Sequence, residues 1–169
     1  ETNILPGSND SLKIIDLTVE EKPTGEISAG AGLGTNGGTV SAGIKENNFL
    51  GKGIGLNTSL AVSSSTIKGQ FTYNQPNFNN SDYALSTSLR STTTDRLSDF
   101  GYKTNNIGFS LGTSYEQYEN LFFTPEVSTE FETLETNNSA AKNLKKQKGD
   151  YFDTYFNYSL DYDLRNKRY

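Results

Sequence analysis

Apolar and polar residues alternate with a period of two in eight stretches of this sequence. The apolar row of each stretch contains no charged residue, whereas the interleaved row carries charges such as Lys68, Arg90 and Glu130. Because successive side chains of a strand point to opposite faces, this pattern predicts a sheet with one charge-free face. Several stretches reach the roughly 9 to 11 residues that a tilted transmembrane strand needs. The pattern therefore favours an antiparallel transmembrane β-sheet over its alternative, a soluble half-buried sheet or sandwich.

The apolar rows define the surface that we expect to face lipid. Aromatic residues gather near the ends of the stretches, as interfacial girdles require, at Tyr73, Tyr83, Tyr115 and Phe123. The residues expected to contact acyl chains are Ile54, Leu56, Leu60, Val62, Phe71, Leu85, Leu89, Phe109, Leu111, Val127, Phe131, Phe156 and Leu160.

Composition narrows the function classes. The mean hydropathy of -0.63 argues against a helical membrane protein, but only one row in two must be apolar in a barrel with a wet lumen. The sequence has no cysteine and no histidine, so zinc sites, histidine bases and cysteine nucleophiles are excluded. The net charge of -5 argues against a nucleic-acid partner. We therefore expect a non-enzymatic protein without metal or cofactor.

Two motifs have competing interpretations. The glycines of 32–37 match a dinucleotide-binding fingerprint, but a period-two strand resumes after them where that fingerprint needs a helix. A tight hairpin with Asn36-Gly37 at its turn is the preferred interpretation. The lysines of 142–148 lie in a polar segment, for which a solvated loop tip is preferred over phosphate binding.

A further strand is predicted at Leu12–Glu20, separated from the others by Pro23 and two charged residues. Proline and charges are poorly placed in hydrocarbon, so this strand is expected to close a soluble domain. The predicted domains are accordingly 1–23 and 24–169. After residue 24, the longer connections fall mainly on one side of the sheet, as in outer-membrane barrels.

Several segments resemble BamA-type outer-membrane assembly proteins of the bacterial surface antigen family. The matching segments are Thr24-Gly25-Glu26-Ile27 before a glycine-rich strand, the asparagine turn 46–53, Gln75-Pro76-Asn77-Phe78 and the terminal turn 164–169. The strand at 12–20 is similar to the last strand of a periplasmic POTRA domain. The resemblance implies an all-β up-and-down barrel of about sixteen strands, of which this chain holds the first eight.

The resemblance also implies a location in the bacterial outer membrane and a role in inserting β-barrel proteins as part of a BAM complex. Its partners would be unfolded outer-membrane β-barrel proteins, outer-membrane lipid and accessory assembly lipoproteins. The family's inward-folding loop motif is absent here and no alternating strand ends the sequence, so the chain alone is not expected to be a competent insertase. The alternatives are a transport pore, either a two-partner secretion channel or a small eight-stranded barrel, and a soluble β adhesin.

The expected functional element is the first barrel strand, which would act as a lateral gate. Its glycines would weaken the seam and leave a backbone edge for an incoming strand, although they could instead permit curvature or close packing. The edge expected to pair with client strands comprises Gly25, Glu26, Ile27, Ser28, Ala29, Gly30, Ala31, Gly32 and Leu33.

Overall fold

A computed structural model describes residues 2–6, 13–20, 22–34 and 37–165. In these ranges the chain is almost entirely antiparallel β-structure, which confirms the predicted fold class. The helical elements described are a single 3-10 turn at Phe78–Asn80 and the short helix α1 (Lys142–Lys146). The strands are β1 (Thr2–Pro6), β2 (Lys13–Leu17), β3 (Gly25–Gly34), β4 (Gly37–Phe49), β5 (Ile54–Ser63), β6 (Thr66–Gln75), β7 (Ala84–Arg96), β8 (Tyr102–Tyr118), β9 (Leu121–Thr136) and β10 (Gly149–Tyr162).

Eight of the strands form one sheet in strict sequence order, from β3 at one edge to β10 at the other. Each strand pairs with its neighbours in the chain, so the predicted up-and-down topology is confirmed. Within the described ranges, the sheet is open: β3 pairs only with β4, and β10 pairs only with β9.

The strands differ in length, and the longest lie towards the β10 side of the sheet. β5 and β6 have 10 residues each, whereas β8 has 17 and β9 has 16. We call the end of the sheet with connections 50–53, 76–83 and 119–120 the turn end, and the opposite end the loop end. The loop end carries connections 97–101 and 137–148, so two of the three longest connections lie there. The predicted one-sidedness of the long connections therefore holds except for 76–83.

The loop end is held together by contacts between its two long connections. The backbone N–H of Asn137 donates to the carbonyl of Gly101 at 2.9 Å, and its side-chain amide donates to the carbonyl of Leu97 at 2.9 Å. Ala140 is buried against this contact. The lysines of 142–148 are exposed, and α1 occupies the segment in which the sequence predicted an irregular loop.

β1 and β2 form a separate two-stranded sheet in which Ile4 lies opposite Ile15. The sequence predicted β2 but not β1. The predicted strand also extended further, to Glu20, and its first residue, Leu12, lies outside the described residues. The assignment of this hairpin to a POTRA domain, with a domain boundary at residue 23, stays a prediction.

Some other predictions fall partly outside the described residues, namely the turn at Asn36 and the terminal segment 166–169. The residues that flank the turn, Gly34 and Gly37, lie directly opposite each other, as a hairpin requires. None of the described helices is long and apolar enough to cross a membrane.

Candidate functional site: an apolar wall and a glycine-rich edge

The apolar rows of all eight strands meet on one face of the sheet, which we call the wall. The strand registers place Leu89 opposite Phe109, and Val127 opposite both Leu111 and Phe156. The period-two alternation thus stays in phase from strand to strand. The predicted lipid-facing residues that are exposed on this face are Leu60, Val62, Phe71, Leu89, Phe109, Leu111, Val127, Phe131, Phe156 and Leu160.

Three predicted wall residues are less accessible. Leu56 and Leu85 are half-buried, and Ile54 is only 8% exposed. Ile54 lies opposite Phe49, directly beyond a bulge between Glu46 and Phe49. The bulge changes the packing at this end of β5, so Ile54 is not the exposed residue that simple alternation predicts.

The opposite face, which we call the polar face, contains the best-buried polar side chains of the described sheet. Ser110 and Ser128 are 6% and 5% exposed, although each carries a hydroxyl. The Ser88 and Ser110 hydroxyls are 2.8 Å apart, and the side-chain amide of Asn157 donates to Ser128 at 3.3 Å. A soluble sheet would bury its apolar face, whereas here most apolar side chains of the wall are exposed and the buried polar side chains, Ser110 and Ser128, lie on the opposite face. This inversion is typical of a barrel wall with lipid outside and water inside.

Charges of the polar face are unevenly distributed over the sheet. The cations lie on β4, β6 and β7, at Lys45, Lys68, Arg90 and Arg96, and Glu26 of β3 lies opposite Lys45. Two grooves of about 270 and 350 Å³ lie beside Lys68. Arg90 reaches Glu130 on β9 at 3.2 Å. The acidic residues of this face on β9 and β10 are Glu126, Glu130, Glu132, Asp153 and Asp161.

Four aromatic rings form a ladder at the turn end, from Tyr83 just before β7 to residues on β8, β9 and β10. The Tyr83 and Tyr115 ring centroids are 4.9 Å apart, those of Tyr115 and Phe123 are 5.8 Å apart, and those of Phe123 and Tyr158 are 6.4 Å apart. Tyr158 continues the girdle that the sequence predicted from the other three residues. The ladder marks the height at which one membrane interface is expected.

The predicted pairing edge, Gly25 to Leu33, lies on β3 at the open edge of the sheet. Its wall-side residues are among the most exposed apolar side chains described, with Ile27 at 83% and Leu33 at 95%. A Cβ at Gly30 would lie 3.2 Å from the Ser41 hydroxyl, whereas at Gly32 it would meet nothing within 4 Å. Close packing thus accounts for the glycine at position 30 but not for the one at position 32.

The described residues of this edge include no cluster of metal-ligating side chains. Among the described residues, no three histidine, cysteine, aspartate or glutamate side chains are placed to hold a metal ion. The chemistry available here is backbone hydrogen bonding along β3 and apolar contact along the wall.

The geometry agrees with comparisons to known proteins. The crystal structure of BamA from Haemophilus ducreyi lacking POTRA domains 1–3 superposes with a TM-score of 0.68 at 22% sequence identity, which shows a shared fold. The superposition covers 100% of this chain and 36% of that chain, so the chain spans about a third of its matched relative. A search among curated protein sequences finds no match. The Omp85 superfamily domain matches residues 48–169. This chain therefore belongs to the Omp85 superfamily and is a β-barrel protein of the bacterial outer membrane.

Proposed function

We propose that this chain is part of an outer-membrane insertase that receives the strands of client barrel proteins on the free edge of β3. The observation that supports the proposal is that, within the described residues, β3 pairs with β4 and its other edge is unpaired. Its other row of backbone N–H and C=O groups faces outward from the sheet. In hydrocarbon, each unpaired backbone group costs several kcal/mol, so such an edge favours a new strand strongly.

Strand addition also accounts for the side-chain pattern of β3. A client strand that pairs with β3 continues the sheet, and its own apolar row continues the wall beyond Ile27, Ala29 and Ala31. Backbone hydrogen bonds supply the affinity, and the alternation of apolar and polar side chains selects the strands that can pair. Every outer-membrane strand offers the same alternation, so the edge accepts many clients without reading a specific sequence.

No covalent step is needed, which agrees with a sequence that has neither cysteine nor histidine. The partners in this proposal are unfolded outer-membrane β-barrel proteins and outer-membrane lipid. Accessory assembly lipoproteins are added on the family resemblance. The remainder of the barrel and the periplasmic POTRA domains also belong to the proposal.

Site-specific crosslinking in the full-length protein tests this function. A photoreactive residue at Ile27, Ala29 or Ala31 should crosslink to the last strand of a client that is stalled during assembly. The same residue at Thr58, on the wall side of β5, is the control, because β5 is paired on both sides. Crosslinks that form equally at Thr58, or only on the polar face, would contradict the proposal.

A transport pore is the second candidate. It is favoured by the charged side chains of the polar face, among them Lys68, Arg90 and Asp153, which would line a wet lumen. Depletion distinguishes the two functions. An insertase leaves client barrels unfolded when it is removed, whereas a pore leaves them assembled and removes a conductance or a secreted substrate.

A further inference from the structure

A cluster of hydrogen bonds ties the beginning of β3 to the turn that follows β4. We call Thr24, Glu46, Asn47 and Asn48 the latch. The Thr24 hydroxyl donates to the Glu46 carboxylate, and the same carboxylate oxygen accepts the backbone N–H of Asn48 at 2.7 Å. The Asn47 side-chain amide donates to the Thr24 carbonyl at 3.1 Å. The latch therefore connects residues on both sides of the β3–β4 ladder at its turn end.

The sequence around the latch is fitted to it. A Cβ at Gly25 would lie 3.0 Å from the second oxygen of the Glu46 carboxylate, so a larger residue there would displace that carboxylate by a few tenths of an ångström. On the turn side, the Asn48 carboxamide accepts the backbone N–H of Gly53 at 2.6 Å, which fixes the turn that presents the latch. The asparagine turn is thereby coupled to the start of the edge strand.

The middle of the β3–β4 ladder specifies its register weakly, because its opposed pairs are small, with Ala29 opposite Ala42 and Gly30 opposite Ser41. Nearer the turn end, Ile27 opposite Ile44 and Glu26 opposite Lys45 favour the native register. A slip of two residues would place Ala29 opposite Ile44, which still joins apolar side chains on the wall. It would also keep polar side chains on the polar face, because a two-residue slip preserves the faces. Side-chain packing in the middle of β3 thus discriminates little between the two registers, and the discrimination comes from the turn end of the ladder.

We propose that Thr24 and Glu46 are positioning residues that set the register of the edge strand. This inference rests on the proposed function, because it concerns the strand on which clients would pair. In the slipped register, Glu46 lies opposite Ile27 and the hydrogen bond to Thr24 is lost. The Ile27–Ile44 and Glu26–Lys45 pairs are also lost in that register, and the latch adds to them at the turn end.

The register sets the height of the edge in the membrane. Each strand residue advances the chain by about 3.3 Å, so a two-residue slip moves β3 by about 7 Å along its neighbour. A client strand that pairs with the displaced edge would enter about 7 Å away from the level of the wall. The latch therefore aligns the incoming apolar row with the existing one.

Paired cysteines report the register directly, because this sequence contains no cysteine of its own. The native reporter is Ala29→Cys with Ala42→Cys, and the slipped reporters are Ala29→Cys with Ile44→Cys or with Val40→Cys. All three pairs lie on the wall side, so they are matched in geometry. They are introduced into the full-length protein in the outer membrane and oxidised there, and the disulfide yields are compared.

With the latch intact, the native reporter should dominate. Thr24→Val should raise the ratio of slipped to native disulfide about threefold or more, since exposed hydrogen bonds each contribute modestly. Glu46→Gln should give a smaller increase, and Thr24→Ser, which keeps the hydroxyl, should restore the native ratio. An unchanged ratio in Thr24→Val would overturn the inference. Loss of the native and the slipped disulfides in a folded barrel would also overturn it, because the latch would then attach β3 to β4 without setting their register.

The outcome is separable from that of the proposed function. If Thr24→Val shifts the register while Ile27 and Ala29 fail to crosslink to clients, the latch stands and the insertase proposal fails. If clients crosslink and the register does not move, only the latch inference is lost.

Discussion

Arg90 on β7 and Glu130 on β9 form an ion pair across the intervening strand, with 3.2 Å between Nη2 and Oε1. Gly108 of β8 lies directly opposite both residues. A Cβ at this glycine would lie 3.3 Å from Arg90 Nη2 and 3.7 Å from the Glu130 Cγ. Because Gly108 has no side chain, Arg90 and Glu130 can approach each other across β8.

Replacing Gly108 tests that relationship. Gly108→Val should destabilise the barrel by about 1–3 kcal/mol, because the new side chain crowds Arg90 and Glu130. Loss of the pair itself accounts for no more than about 1 kcal/mol, since both partners are solvent-exposed to a third or more. Thermal unfolding in detergent micelles gives the measurement. The matched control is Gly69→Val, because a Cβ at Gly69 meets nothing within 4 Å. Equal destabilisation by the two variants would refute the role of Gly108 in letting Arg90 and Glu130 pair across β8.

The wall makes a second prediction. Leu60→Arg and Leu111→Arg should each cost roughly 2–4 kcal/mol if these side chains lie near the bilayer midplane. Both residues are about half exposed, at 49% and 47%, so the cost would come from lipid and not from lost protein packing. The same substitution at Leu85 should add a packing cost, because that residue is half-buried. Denaturant unfolding in lipid vesicles measures all three.

The control for the wall is Ser59→Arg, since Ser59 is adjacent to Leu60 in sequence, exposed, and on the polar face. Alternation alone predicts that Ser110 would tolerate substitution equally well. The structure corrects this, because Ser110 is buried beneath its neighbours and contacts the Ser88 hydroxyl. Equal tolerance at Leu60 and Ser59 would count against lipid on the wall side.

The edge strand makes a third prediction. Gly32→Ala should stabilise β3 by about 0.5–1 kcal/mol, because alanine loses less conformational freedom in a strand and the site has open space. Gly30→Ala should gain less, since its Cβ would approach the Ser41 hydroxyl to 3.2 Å. Hydrogen exchange of the backbone amides of β3 and β4 measures both. If β3 acts as the proposed client edge, Gly32→Ala should also slow client assembly. Faster hydrogen exchange in Gly32→Ala would contradict the expectation that alanine stabilises β3.

The loop end makes a fourth prediction. Gly101 has φ of +75° and a Cβ there would lie 2.3 Å from the Ala140 backbone nitrogen, so Gly101→Ala should separate the two long connections. Gly51 has a similar φ of +69° with open space around it. Gly51→Ala should therefore cost only the left-handed strain of about 1–2 kcal/mol. Protease cleavage between residues 137 and 148 in intact cells should increase for Gly101→Ala alone, and equal cleavage in both variants would refute the packing role.

The sequence contained enough information for the architecture, because a period of two is local and each strand repeats it. Ile27, Leu60 and Val127 could be assigned to one face without knowledge of their partners, and the registers place them so. The order of the strands followed from the short connections. The polar residues of the opposite face followed from the same alternation.

Features that depend on contacts between strands could not be predicted in the same way. The role of Gly108 requires both neighbouring strands, and the burial of Ile54 depends on a bulge that alternation cannot express. β1 was missed because five residues without alternation give no signal until β2 is paired with them. The latch was missed because Thr24 and Glu46 are 22 positions apart, although both lie within segments that the family resemblance selected.

The exposed apolar wall constrains where this sheet can be stable. In an aqueous compartment, its uncovered apolar side chains would drive self-association. A folded sheet of this kind is therefore not stable as a monomer in water. We expect the chain to acquire this structure only as it enters the bilayer.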